Sequence, residues 1–222
     1  MLPLYDKIYN YRLMRTLFII LIACMTSFQM FAQELQEIKL NPPDKARGSA
    51  VMKALTDRMS VREFDSKELS LQDLSDLLWA ANGINRPDGR RTAPTASNRQ
   101  EIDVYAIRPE GAYYYDAQTH SLKPVAQGDF RTAVAGGPQD FVLTAPISLV
   151  IVIDLEKQGN QLMGAVDAGI VCQNINIFCA AVGLATVPRA SMDQEELRKI
   201  LKLSDKYLPV MNNPVGYKKQ NE

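Results

Sequence analysis

Apolar residues in this chain change their spacing from segment to segment, and those changes predict its elements. Between Ser70 and Gly83, Leu71, Leu74, Leu77, Leu78 and Ala81 recur at helical intervals on one face. Ser70 with Asp73 three residues on has capping-box spacing, and Asn82-Gly83 is a stop signal, so a helix with an inward apolar face is expected there. Trp79 lies beside that face, either in the core or turned to a partner. Further helices are expected over Ser49 to Asp57, Leu162 to Val182 (ended by Gly183) and Gln194 to Leu201. Within the longest of these, Asp167 reads as a structural hydrogen-bonding group. Glu101 to Arg108 and Ala112 to Asp116 predict a β-hairpin turning through Pro109-Glu110-Gly111, with a third strand near Leu122 to Val125. The unbroken apolar run Ile147 to Ile153 predicts a central strand covered on both faces. Val187 to Ala190 reads as a strand-like crossing and Tyr207 to Tyr217 as the last strand. From Arg86 to Asn98, Arg, Pro, Gly, Thr and Ser predict a long loop, the kind of segment in which function concentrates. With no regular βαβ alternation, the order predicts an α+β fold: helices around a mixed or antiparallel sheet.

The first 32 residues read differently. Met14-Arg15 precedes the apolar run Leu17 to Ala23, and small and polar residues lead to Phe31-Ala32-Gln33, the pattern of an export signal cut after Ala32. The run is short for a bilayer span, so no stable membrane segment is expected after cleavage. Leu21-Ile22-Ala23-Cys24 also matches a lipobox, which would place a lipid anchor on Cys24, and an uncleaved anchor is a third reading. The thirteen residues before Met14 read as an upstream mis-start. The expected organisation is an export signal at 1–32, a linker at 33–47 containing Asn41-Pro42-Pro43, and one domain at 48–222, located in the periplasm or outside the cell.

Composition narrows the function classes. Lys and Arg number 25, as do Asp and Glu, and no block of like charge suggests a nucleic-acid surface. Cys172 and Cys179 lie seven apart in a predicted helix, about 10 Å, too far for a disulfide. The single histidine, His120, has no clustered metal-ligating neighbours, which argues against a zinc site or a histidine triad and leaves it as a turn residue.

What remains is a pattern of anion-binding side chains. In Arg58-Met59-Ser60-Val61-Arg62, an extended backbone would project Arg58, Ser60 and Arg62 to one side: two guanidinium forks flanking a hydroxyl, suited to a phosphate or a polyol. That stretch resembles the N-terminal flavin signature of the nitroreductase family of FMN-dependent oxidoreductases. Ala93-Pro94-Thr95-Ala96-Ser97-Asn98-Arg99-Gln100 is similar to that family's Pro-Ser-x-x-Asn-x-Gln loop, with Thr95 in the serine position. Asp167-Ala168-Gly169, Gln173-Asn174-Ile175 and Gly183-Leu184 resemble its central helix and exit, and Val187 to Asp193 its flavin-edge segment. Gly111 to Asp116, His120-Ser121-Leu122 and Gly128 to Arg131 look closest to the subgroup of thiazole/oxazole-forming oxidases.

The resemblance implies a homodimer with one FMN at each subunit interface. Arg58, Met59 (through its backbone), Ser60 and Arg62 would hold the phosphate, ribityl and pyrimidine end. Asn98 and Gln100 would address the polar flavin edge, while Thr95, Ala96 and Ser97 reach the partner's flavin. The Ala190 and Ser191 amides would face flavin N5 and O4, and Lys218 or Lys219 would supply a phosphate-binding cation unless they belong to a solvated terminus. The implied activity is hydride transfer from a reduced donor such as NAD(P)H to a small nitroaromatic or quinone-like acceptor, carried by the flavin without a catalytic side chain or a metal. Azoline oxidation and a non-catalytic flavin-binding module are the alternatives.

Overall fold

In the computed structural model, which describes residues 34–219, the central strand is the most protected element. Strand β5 (Ile147–Asp154) is buried at every position, as its unbroken apolar run requires. It sits between β2 (Ile102–Arg108) and β7 (Tyr207–Tyr217) in an antiparallel sheet. Adding β1 (Ile38–Lys39), β3 (Gly111–Asp116), β4 (Ser121–Gln127) and β6 (Leu184–Thr186) gives seven strands in the order β1-β4-β3-β2-β5-β7-β6. All the pairings between these strands are antiparallel, which resolves the expected mixed or antiparallel sheet.

Helices cover both faces. On one lie α1 (Val51–Asp57), α2 (Leu71–Asn82) and the long α6 (Gln161–Val182). Leu74, Leu77 and Leu78 of α2 and Val171 and Ile175 of α6 meet Leu149, Ile151 and Ile153 of β5 in the larger core. The other face is covered by two short helices, α3 (Arg131–Ala135) and α7 (Gln194–Ile200), whose Val134 and Leu197 pack on Val150 and Val152. Single-turn helices α4 (Phe141–Thr144) and α5 (Leu155–Gln158) flank β5. The pleat divides the tyrosine run: Tyr113 and Tyr115 enter the larger core, while Tyr114 packs toward the second face.

Local chemistry sets the boundaries. The Ser70 side chain accepts the Asp73 amide to start α2, as expected. Gly183 closes α6 at φ +80°, a conformation that favours glycine, and turns the chain straight into β6. The expected crossing at 187–190 is therefore displaced: the strand occupies Leu184–Thr186. Beyond it, Pro188 has no N–H to donate, and only Arg189 bridges to Asn212 of β7.

The stretch 33–47, expected as a linker, is in its described part a strap. Ile38–Lys39 pairs with β4, the Asn41 amide donates to Ser75 Oγ (2.8 Å), the Asp44 amide donates to Asp76 Oδ1 (2.8 Å), and Arg47 pairs with Asp73 and Asp76 of α2. The expected export segment lies outside the described residues. Trp79 is half-buried, donating from Nε1 to the Ile84 carbonyl (2.9 Å), with the Lys45 ammonium 5.7 Å from its ring centre. His120 is a turn residue at φ +44°, its Nδ1 2.9 Å from the Tyr115 hydroxyl.

Candidate functional site

The arginine segment is held to the sheet by its backbone, which leaves its polar side chains outside. The Val61 amide donates to the Thr186 carbonyl (2.9 Å) and the Asp65 amide to that of Tyr217 (3.0 Å). Phe64 is buried with Ala145, Ala185 and Val187, so the segment has an apolar anchor facing inward. Arg58, Met59, Ser60 and Arg62 are all exposed. Among the described residues no carboxylate pairs with Arg58 or Arg62, and no side-chain hydrogen bond engages Ser60. Exposed Lys218 lies opposite Phe64, and the Lys219 amide reaches the Glu63 carbonyl at 3.5 Å, so both lysines run beside the clamp.

Next to it stands the segment Arg189 to Asp193. Arg189 and Asn212 exchange both backbone hydrogen bonds (2.9 and 2.7 Å), and Asn212 Nδ2 donates to the Ser191 carbonyl (3.0 Å). The Asp193 amide donates to Ala133 of α3 (2.8 Å). Gly136, at φ +60°, lets the chain pass this close: a Cβ there would stand 2.4 Å from the Met192 Cα. With the Arg189 and Ser191 carbonyls and its flanks tied down, the segment presents the Ala190 and Ser191 amides without an acceptor among the described residues, beside an open cleft of about 1000 Å³. Asp129, Glu195 and Glu196 line that cleft.

The third piece, the Thr95 to Gln100 loop, is built on a different part of α6. Asp167 Oδ2 accepts the Ala96 amide (2.8 Å), and Thr95 Oγ1 accepts the Gln100 amide (2.9 Å), so threonine supplies the hydroxyl that serine would. Ser97, Asn98 and Gln100 all adopt positive φ (55, 53 and 49°), an uncommon run of left-handed non-glycine residues. The Gln100 amide is engaged internally, accepting from Arg91 Nε (3.2 Å) and donating to the Gly89 carbonyl (3.3 Å) and to Asn98 Oδ1 (3.3 Å). It holds the loop's shape.

Beneath the loop, fully buried Glu101 accepts from Gln158 Nε2 at 3.1 Å while its Oε2 finds no donor. Burial, and then the adjacent Asp167 carboxyl, push the Glu101 pKa above the ordinary carboxylate range. The structure thus sets the C-terminal lysines beside the arginine segment, brings the Arg62 charge within reach of Arg189, and ties the Thr95 to Gln100 loop to a different part of α6. Met59 lies against α6 near Asn176 to Ala180, whereas the loop is tied to Asp167; from 167 to 179 is roughly 18 Å of helix rise.

Sequence pattern does not reveal the supports: Glu101 and Gln158 under the loop, and Gln139, Asn212 and the Arg189 side chain behind the 190–191 segment. Asp167, expected as a structural hydrogen-bonding group, is one.

The model of the nitroreductase family matches residues 55–217. A Methanocaldococcus jannaschii protein described as a nitroreductase is 31% identical over 199 residues, covering 83% of this chain and 94% of its own. An FMN reductase [NAD(P)H] of Bacillus subtilis is 22% identical, covering 75% of this chain and 65% of that protein. A crystal structure from Ralstonia eutropha, likewise described as a nitroreductase, superposes with a TM-score of 0.79 at 34% identity over 86% of this chain and 93% of that one. By the family match over most of its length and these relatives, the chain belongs to the nitroreductase family.

Proposed function

We propose that the protein is an FMN-dependent oxidoreductase that works as a homodimer. The observation that carries this reading is a set of unpaired cationic side chains and unsatisfied backbone amides among the described residues: Arg58 and Arg62 have no carboxylate partner, Arg62 is near enough for its charge to act on Arg189, and the Ala190 and Ser191 amides that follow are free. Such a set suits a flat, polar-edged ligand ending in a phosphate, as FMN is. When bound, FMN supplies two-electron hydride chemistry between a reduced donor, NAD(P)H or another carrier, and a small acceptor such as a nitroaromatic or quinone. Arg58, Arg62 and Lys218 or Lys219 would hold its phosphate end, Ser60 would add a hydroxyl contact, and the Ala190 and Ser191 amides would donate to its ring edge. No side chain of this chain needs to act as acid or base.

The division of the site supports the dimer. The Thr95 to Gln100 loop stands apart from the arginine clamp along α6, and α6 carries exposed apolar side chains, Leu162, Met163 and Val166, at the loop's end. A two-fold pairing antiparallel along α6 would bring the loop of one protomer to the clamp of the other. Purified protein titrated with FMN and then with NADPH under anaerobic conditions tests the reading. Stoichiometric FMN binding followed by bleaching of the flavin absorbance supports it, and a protein that binds no FMN refutes it.

A further inference from the structure

Arg189 stands one residue before the segment assigned to the flavin edge, and its surroundings are unusual for a charged side chain. It is 7% exposed. Its guanidinium donates from Nε to Gln139 Oε1 (3.1 Å), from Nη1 to the Val134 carbonyl (3.0 Å) and Asn212 Oδ1 (2.7 Å), and from Nη2 to the Ala135 carbonyl (2.8 Å). The Phe141 ring lies 5.5 Å from its central carbon. Each of these partners is neutral, and no ion pair joins Arg189 to a carboxylate among the described residues. The charge that acts on it is another cation: burial, and then Arg62, hold the Arg189 pKa below the ordinary arginine value.

A buried cation without a counter-ion is costly, and burial of arginine is normally accompanied by a carboxylate. Among the described residues, the compensation consists of dipoles: two carbonyls at the C-terminal end of α3 and two side-chain amides. Those bonds fix where the charge sits, and the Asn212 contact couples it to the Ser191 carbonyl. None of the groups bonded to the guanidinium neutralises it, so negative charge brought to the 190–191 segment would offset it. Reduction of bound FMN brings such charge, because uptake of two electrons and one proton leaves the ring system with one negative charge.

We propose that Arg189 is a positioning residue whose buried, carboxylate-free charge raises the reduction potential of the flavin held at Ala190 and Ser191, with Gln139 kept neutral so that this charge is not cancelled. The proposal rests on the FMN reading above. It differs from a phosphate-binding role, which would strengthen oxidised and reduced FMN alike and leave the potential unchanged.

The test uses the full-length FMN-loaded protein and the variants Gln139→Glu, Arg189→Met and Arg189→Lys. Each potential is measured by anaerobic spectroscopic titration with dithionite against reference dyes, alongside FMN affinity and thermal unfolding. Gln139→Glu keeps the arginine and its Nε hydrogen bond but pairs the charge. It is expected to lower the reduced-to-oxidised ratio at a fixed poise about tenfold, about 30 mV for a two-electron couple. Arg189→Met is expected to do the same, and Arg189→Lys, which keeps charge but loses the fork of donors, to remain within about threefold of the parent. A purely structural arginine would lower the melting temperature in both Arg189 variants and leave the potential of Gln139→Glu unchanged, and that result overturns the proposal. Failure of the parent protein to bind FMN would instead remove the functional reading and this proposal with it.

Discussion

Asp167, in the middle of the long helix, accepts the Ala96 amide at 2.8 Å, so one carboxylate fixes the start of a loop some seventy positions earlier in the chain. The same carboxyl stands against buried Glu101, whose own pKa is raised first by burial and then by Asp167. The loop's support is therefore sensitive to the protonation of Glu101.

The sign of that sensitivity follows from the direction of the shift. A raised pKa in the folded state means that the native protein holds the Glu101 proton more tightly than the unfolded chain does. Its stabilising contribution is complete below the unfolded value near 4.3 and is lost as pH rises through the higher folded value. Glu101→Gln retains an acceptor for Gln158 and a donor for Asp167 without an ionising group. The variant is expected to be more stable than the parent at neutral pH and to lose the decline in stability above about pH 4.5. Thermal melts from acidic to mildly alkaline pH measure this; parallel curves for the two proteins would show that Glu101 does not titrate differently on folding.

Tyr217 closes a second network at the far end of β7. Its hydroxyl donates to Asp73 Oδ2 at 2.5 Å, where Ser70 and Arg47 also converge, joining the end of the sheet, the start of α2 and the N-terminal strap. Burial alone would raise the Asp73 pKa, but the hydrogen bonds from Ser70, Tyr217 and Arg47 outweigh it, and the net shift is downward. This contribution is present above the unfolded value near 3.9 and lost as pH falls through the lower folded value. Tyr217→Phe is expected to cost about 1.5 to 3 kcal/mol at neutral pH, a hydrogen bond to a charged acceptor, with a smaller deficit at acid pH, once Asp73 is protonated. Urea denaturation at the two pH values measures both.

Elements that carry their own punctuation are legible in the amino-acid sequence alone. Ser70 and Gly83 mark α2, and the β-branched run of β5 and the full length of β7 read directly from local pattern. The short helices α3, α4 and α5 do not, since four or five residues are too few to display a 3.6-residue period. The strap is hidden for another reason: Asn41, Asp44 and Arg47 are bound to α2 by contacts spanning some thirty positions, while Asn41-Pro42-Pro43 carries the composition of a linker. The same limit applies to the site. Arg58, Ser60 and Arg62 form a local pattern, but Gln139, Arg189 and Asn212 meet only through the fold, and nothing in their spacing announces the contact.

Arg62 is the residue on which the clamp assignment can be tested with least damage to the fold, since it is exposed and makes no side-chain hydrogen bond among the described residues. Arg62→Ala is expected to weaken FMN binding by about 10- to 100-fold, the worth of one charge-assisted hydrogen bond. Riboflavin, which has no phosphate, should bind parent and variant with nearly equal affinity if the guanidinium addresses the phosphate. Flavin fluorescence quenching measures both ligands, and equal FMN affinity in parent and variant would assign Arg62 no part in the clamp.

The outer stripe of α6 bears on the assembly. Leu162 is 73% and Val166 51% exposed, a Cβ at Gly169 would meet nothing within 4 Å, and on the neighbouring α1 and its exit Met52 and Met59 are 75% and 61% exposed. Apolar side chains this exposed on adjoining helices call for a covering partner, and a glycine within the stripe permits close approach of a second backbone. If that partner is another copy of the chain, the stripe belongs to the contact that joins the two half-sites and binding depends on it. Val166→Glu would place a charge in the exposed apolar stripe without touching the core. It is expected to shift sedimentation from dimer to monomer and to weaken FMN binding by about tenfold or more, because each clamp would lose the loop contributed by its partner. A monomeric variant that retains full FMN affinity would show that one chain completes the site by itself, and a variant that remains dimeric would place the interface elsewhere.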